Sequence, residues 1–277
     1  MLLKSLQLHN FRSYTQYSIS FDKPATIILG SNAIGKTNII EAIALLALGA
    51  SFRAQKDEEM IRIGEDFGRI SADIDGESLE IVLTRGMWQG KKVAKKRFLI
   101  SGVAKRRRDF LGRLPIVIFE PTDIDLVIGS PSERRNYINS VLNQVDSEYY
   151  RCLLSYEKGL RQRNRLLQVI AEGKANAHQL EFWDMLLIRN GDIIYQKRRD
   201  FLEKITHLCQ QSRFREELAG GTNVTLIPLF EFRYDPSPIS KERLTKYRDA
   251  EIASGNTLVG PHRDDFSFWQ VKQNETQ

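Results

Sequence analysis

The chain has 277 residues, 42% hydrophobic and 27% charged, an ordinary globular composition that excludes a largely disordered, collagenous or mucin-like protein and allows one large α/β domain or a domain with a second lobe. Its formal net charge is +6, but between Lys91 and Arg113 ten basic residues stand against Asp109 alone, so the excess is local. No apolar run reaches the roughly 18 residues that span a bilayer, and Met1 to Asn10 lacks the core of a signal peptide, so a cytoplasmic protein without membrane contact is expected.

Short alternating, β-branched pieces at Leu6–Phe11, Tyr17–Phe21 and Ala25–Leu29 predict three strands. Directly after the third comes Gly30-Ser31-Asn32-Ala33-Ile34-Gly35-Lys36-Thr37, and then an apolar helix from Asn38 to Leu48 that stops at Gly49. From Arg69 to Gly102 short strands broken at Asp75-Gly76 and Gly86 predict an antiparallel layer of hairpins. Leu114–Phe119 is a further apolar strand, Pro121 follows it closely, and Ser132 is the expected N-cap of a helix through Val145.

Beyond Asp146 the sequence is long, charged and helical, with one break near Gly173 to Ala177. Leu153, Leu160 and Leu167 recur every seven residues on one side of it, and Leu180, Leu187, Ile194, Phe201 and Leu208 on the other. Two such stripes predict an antiparallel helical hairpin. Val224–Tyr234 reads as a strand, Pro236 and Pro238 as a linker, Lys241–Ile252 as a helix and Thr257–Trp269 as a return to sheet. Cys152, Cys209 and the four histidines show no paired spacing of the kind that holds zinc.

Gly30 to Thr37 is a phosphate loop in its proper setting, between a predicted strand and a predicted helix. Gly30 and Gly35 let the backbone curl so that the amides of Ser31, Asn32, Ala33, Ile34 and their neighbours point at phosphate, and the helix start at Lys36, Thr37 and Asn38 adds its positive end. Lys36 would reach the terminal phosphates of ATP and the Thr37 hydroxyl would ligate Mg2+. Among the clustered cations, Lys95, Lys96, Lys105, Arg106, Arg107 and Arg108 are the candidate contacts to a nucleic-acid backbone. A competing possibility is a self-contained P-loop phosphotransferase or NTPase in which Glu120, after the apolar Ile116–Phe119, supplies the acid.

Longer motifs sharpen this. Leu6 to Tyr14 (LQLHNFRSY), Gly35-Lys36-Thr37-Asn38, Glu41-Ala42-Ile43, Ser51-Phe52-Arg53, Phe119 to Asp123 (FEPTD), Gly129 to Arg135 (GSPSERR) and Gly260 to Asp265 (GPHRDD) together resemble the RecF family of bacterial DNA replication and repair proteins. The resemblance implies an α/β P-loop NTPase of the ABC/SMC-head kind, with an antiparallel β layer and a helical second lobe. On that pattern residues 1–131 form an incomplete ATPase lobe, 132–256 the helical lobe with its hairpin, and 257–277 the start of a return into the ATPase lobe. It further implies an ATP-dependent homodimer on double-stranded DNA near single-strand gaps and junctions, which with RecO and RecR supports RecA loading and the SOS response.

Two departures stand out. Ala33 replaces a glycine usual in the family's loop, and only 12 residues follow Asp265, where the family carries a signature motif, an acid-bearing strand and a loop that crosses the dimer. The sequence is therefore expected to be part of a longer protein, to expose an apolar face, to be poorly soluble alone, and to retain weak nucleotide binding without turnover.

Overall fold

A computed structural model of the chain describes residues 2–211 and 229–271. They form two compact units, Met1–Phe119 with Asn143–Ser147, and Glu120–Leu142 with the chain from Glu148 onward. The first division thus falls after Phe119, where the chain turns through Pro121, and not after Pro131.

The first unit is built on a six-stranded antiparallel sheet. Its strands are β1 (Leu3–Phe11), β2 (Tyr14–Ser20), β3 (Phe67–Ile74), β4 (Glu77–Thr84), then the two-residue β5 (Met87–Trp88) and β6 (Lys91–Lys92), which pair apart, and β7 (Lys96–Ile100) and β8 (Val103–Lys105). The order across the sheet is β2-β1-β3-β4-β7-β8. Asp75 and Gly76, at φ 51° and 89°, make the two-residue turn between β3 and β4 that an Asp-Gly pair favours. Strict alternation buries Ile70, Ala72 and Ile74 of β3 and Leu79, Ile81 and Leu83 of β4 on one face. Against that face lies α1 (Lys36–Leu48), with Ile39, Ala42, Leu45 and Leu46 in the same core as Leu6, Leu8 and Phe11.

Two predicted strands are not strands. Residues 25–29 and 114–119 run without ladder partners among the described residues. They nevertheless alternate: Ile28 and Ile116 pack on the core, Leu114 is buried in it, and Ile27, Leu29, Val117 and Phe119 are exposed, at 82%, 86%, 90% and 89%. Each segment is covered on one face and bare on the other, whereas the apolar run Leu114–Phe119 predicts cover on both.

The second unit is helical. It begins with a 3-10 turn (Pro121–Ile124) and the short α2 and α3 flank it in sequence, α2 (Arg107–Phe110) in the first unit and α3 (Asp125–Ile128) in the second. Next come α4 (Pro131–Val145), α5 (Ser147–Ala171) and α6 (Glu181–Gln210). The cap of α4 lies at Ser130, two residues before the predicted Ser132. Pro131 takes the first helical position, and the Glu133 carboxylate reaches back to accept the Ser130 N–H at 2.7 Å.

The hairpin of α5 and α6 is present, and Leu153, Leu167, Leu180, Leu187 and Ile194 of the two stripes are buried, whereas Leu208 is 39% exposed. At Gly159 the two helices approach so closely that a Cβ would lie 2.5 Å from Leu186 Cδ2. α7 (Lys241–Ser254) follows, capped by the Ser240 hydroxyl, and β9 (Leu229–Asp235) pairs antiparallel with β10 (Asp265–Val271). Residues 224–228 of the predicted strand lie outside the described residues. The expected return of residues 257–277 to the first lobe is not made by those described: Asp265 to Val271 hydrogen-bond to Asp235 to Leu229 within the second unit.

Because their side chains stand in solvent, serine at Val117 and Phe119 is expected to change unfolding free energy by no more than about 0.5 kcal/mol each. The same pair should lower concentration-dependent self-association, measured by light scattering, because it removes the bare apolar face.

Candidate phosphate-binding site

The loop before α1 has the backbone its sequence requires. Gly35 sits at φ 111°, and a Cβ there would lie 2.9 Å from the Tyr14 hydroxyl and 3.0 Å from Ser13 Oγ, so only glycine fits. Ala33, at φ 66°, adopts the left-handed conformation that glycine takes freely, at a cost of roughly 1–2 kcal/mol. Lys36 folds over the loop and donates from Nζ to the carbonyls of Gly30 (2.6 Å) and Ser31 (2.8 Å).

The start of α1 carries no capping side chain and no acidic residue in its first turn. The Asn38 N–H donates to the Gly35 carbonyl at 2.8 Å, but no side chain compensates the other first-turn amides or the positive end, as a bound phosphate would require. Thr37 is exposed at that end, free to turn its hydroxyl toward a cation held by the nucleotide. The residues present fit a nucleoside triphosphate on this ground.

Below the loop lies a network that the family-like motifs share. Glu41 of α1 is fully buried, and Arg12 grips it bidentately, from Nε at 2.9 Å and Nη2 at 2.6 Å. Arg53 donates to the same carboxylate from Nη2 at 2.7 Å and Nε at 3.2 Å, and the Ser51 hydroxyl at 2.6 Å. Burial alone would raise the Glu41 pKa, but the hydrogen bonds from Arg12, Arg53 and Ser51 outweigh it and hold the carboxyl below its ordinary value. Arg53 also donates to Asn38 Oδ1 at 2.6 Å, and Asn38 Nδ2 to Ser13 Oγ at 2.9 Å, which ties the first turn of α1 to the end of β1. For Arg53 the sequence leaves open an approach to the nucleotide or a salt bridge to the nearby Asp57 or Glu58; the structure pairs it with Glu41.

The basic run divides. Lys95 pairs with Glu58 at 2.6 Å, Lys96 with Asp57 at 2.5 Å and with the Gly49 carbonyl, and Arg107 donates to the Leu48 carbonyl at 3.0 Å. These three fasten the C-terminal end of α1 and the 3-10 turn Asp57–Met60. Arg108 lies 3.4 Å from Asp109, whereas Lys105 and Arg106 are exposed and hold no ion pair among the described residues. Glu120, in the second unit, donates its N–H to Asp123 Oδ2 at 2.7 Å and so helps to close a turn. It does not stand at the end of a strand.

The second unit has its own buried constellation, to which sequence reasoning attached no mechanism. Arg198 of α6, 2% exposed, donates to Asp264 (2.8 Å), the Pro261 carbonyl (2.7 Å), Asn139 and Tyr149. Asp264 also accepts from the Tyr234 hydroxyl and from the Ser237 N–H at 2.7 Å. His262 contacts the Tyr156 hydroxyl through Nδ1 at 2.8 Å and the Thr257 carbonyl through Nε2 at 3.0 Å. A carbonyl can only accept, so the proton belongs on Nε2 and Nδ1 accepts from Tyr156. Burial first, and then the charges of Arg263, Arg135 and Arg163, push the His262 pKa down to about 4 against a single opposing hydrogen bond to Thr257. Among the described residues no group of three His, Cys, Asp or Glu could hold a metal, and no helix is long and apolar enough to cross a membrane.

Residues 1–209 match the family model described as an AAA ATPase domain. The DNA replication and repair protein RecF of Agathobacter rectalis is 36% identical over 271 residues, which are 97% of this chain and 72% of that protein. RecF of Moorella thermoacetica is likewise 36% identical, over 96% of this chain and 70% of its own. A solved structure of the recombination mediator protein RecF with ATP superposes with a TM-score of 0.83 at 29% identity, over 97% of this chain and 73% of that one. The fold is accordingly that of an α/β P-loop NTPase.

Removing Glu41 leaves Arg12 and Arg53, whose side chains are 21% and 39% exposed, like-charged neighbours without their shared acid. Glu41→Ala is expected to destabilise the chain by about 3–5 kcal/mol in urea unfolding, whereas Ser51→Ala, which removes one neutral donor, should cost about 1 kcal/mol.

His262 sets a pH dependence of known sign. Its folded pKa, about 4, lies below the ordinary 6.5, so the unfolded chain takes up the proton first as pH falls. Stability is complete above pH 6.5 and declines toward pH 4, by on the order of 3 kcal/mol from this group. His262→Gln should flatten the plot of urea midpoint against pH within that window.

Proposed function

This chain belongs to the RecF family of DNA replication and repair proteins, and from that premise we infer that it binds ATP at Gly30 to Asn38 and acts on DNA. The uncompensated start of α1 carries the reading. A helix whose first turn has neither a capping side chain nor an acid, preceded by a loop with Gly35 and Ala33 at positive φ, supports phosphate binding there. Lys36 would exchange the Gly30 and Ser31 carbonyls for phosphate oxygens, and Thr37 would face the Mg2+ that accompanies the nucleotide.

The rest of the function follows the family. The chain would hold double-stranded DNA near single-strand gaps and junctions, pair with a second copy when ATP is bound, and work with RecO and RecR in the cytoplasm. Of the six candidate contacts, Lys105 and Arg106 are the ones that are exposed and hold no ion pair or side-chain hydrogen bond among the described residues, which leaves them free to meet DNA phosphates. Lys95, Lys96 and Arg107 contribute to the same field while holding the fold. Binding is the activity these residues support. Glu41 is enclosed by arginines and Glu120 closes a turn, which disfavours a self-contained phosphotransferase built on Glu120.

Equilibrium binding of a fluorescent ATP analogue tests the nucleotide site. Lys36→Ala is expected to weaken it at least tenfold, and binding unchanged by this substitution would overturn the reading. In duplex binding across a salt series, glutamate at both Lys105 and Arg106 should lower affinity and reduce the slope of log K against log salt by about 2. Unchanged slope would remove the two residues from the DNA contact.

A further inference from the structure

Two of the motifs that the nucleotide loop does not use are Gly129 to Arg135 and Gly260 to Asp265. Both lie in the second unit, and they meet there at a cavity of about 150 Å3, several times what one ordered water needs. Ser132, Arg135, Asn136 and Asn139, at helical spacings of three and four, line it from one face of α4. Arg198 and His262 line it from the other side.

Beside the apolar Leu153, Leu160 and Pro261, the polar groups on these walls are mostly donors. Arg135 gives one Nη1 hydrogen to the Asp264 carbonyl at 2.7 Å and has no carboxylate partner among the described residues. The neighbouring acids are already engaged, Asp264 by Arg198 at 2.8 Å and Asp265 by Arg134 at 2.7 and 2.9 Å. The Asn139 carbonyl oxygen accepts from both Tyr149 and Arg198, which leaves its amide hydrogens as donors. Asn136 makes no side-chain hydrogen bond among the described residues. Glu157, the one carboxylate on the wall, lies within ion-pair distance of no arginine described.

The charge is unbalanced in the same direction. Burial and the nearby Arg198 pull the Arg135 pKa below its ordinary value in spite of Asp265 and Asp264, and Arg135 in turn helps to keep His262 unprotonated. A half-buried guanidinium beside a neutral histidine, with spare amide donors around it, lacks an anion with several acceptor oxygens.

We propose that this cavity is a second phosphate-group site, separate from the loop at Gly30 to Thr37, in which Arg135, Asn136 and Ser132 bind a tetrahedral oxyanion. The oxyanion is either free phosphate or a phosphate of a nucleic-acid backbone, since both present the same oxygens.

The test starts from Lys36→Ala, so that the phosphate loop does not contribute. In this chain the unfolding midpoint is compared in inorganic phosphate and in chloride at equal ionic strength. Phosphate at ten times its Kd should raise the midpoint by about 3 °C, and adding Arg135→Gln should abolish the rise. Asn136→Ala, which disturbs no ion pair, should weaken phosphate about tenfold and serves if Arg135→Gln does not fold. Displacement of phosphate by a short duplex would assign the site to nucleic-acid backbone, and no displacement would assign it to the free ion. No phosphate-specific rise in Lys36→Ala, or a rise that survives both Arg135→Gln and Asn136→Ala, would overturn the proposal.

Discussion

A carboxylate with no access to water must be surrounded by donors, and Glu41 and its donors come from three separate stretches of chain. Arg12 comes from the end of β1, Ser51 and Arg53 from the segment after α1, and the acid itself from the middle of α1. Arg12 stands at φ 52°, a conformation that costs a non-glycine residue free energy, and its N–H donates to Met60 at 2.8 Å while its guanidinium holds Glu41. The arrangement fixes the axial rotation of α1 relative to the sheet. Through Arg53, Asn38 and Ser13 it also fixes the first turn of the helix, whose amides are the chemical capital of the loop.

The second unit repeats this solution with the signs exchanged. There the central buried group is cationic, Arg198, and its acid, Asp264, is bonded by a tyrosine hydroxyl and a backbone amide as well. Arg163, fully buried between Asp184 and Glu251 at 2.7 Å each, adds a third instance. Such groups add little net stability compared with apolar side chains of equal volume, but removal of one member is costly because the other stays buried and charged. Several residues whose sequence context resembles a working site are therefore parts of the frame. Arg53, Arg134 and Asp264 belong here.

What could be read from the residues is what local chemistry decides. The Asp75-Gly76 turn, the glycine positions of the phosphate loop, the extent of α1 and the break between α5 and α6 each depend on a few neighbouring residues, and each is where the sequence places it. The ion hub was not legible, because its members are separated by 29 and 12 positions and nothing in an arginine names its partner. For the same reason Arg53 suggested Asp57 or Glu58, which lie near it in sequence, and the basic run suggested one continuous footprint where Lys95, Lys96 and Arg107 are internal fastenings. The cap falls at Ser130 for a local cause: the rule that pairs a hydroxyl with an acid three positions on is met by Ser130 and Glu133 and not by Ser132.

The two apolar segments that form no ladder show how little of the loop depends on the strand before it. Residues 25–29 keep one face on the core through Ile28, yet Leu29, which precedes Gly30, is 86% exposed. A loop suspended between that segment and α1 would be loose if the segment were its only anchor. It is held instead from the helix side, by Glu41 and Asn38, and across its mouth by Lys36 on the Gly30 and Ser31 carbonyls. The cation that would grip phosphate thus also closes the loop without it, so nucleotide entry would exchange one set of Lys36 partners for another. The part of the site that must be rigid, the row of amides at the start of α1, is set by contacts that this exchange leaves in place.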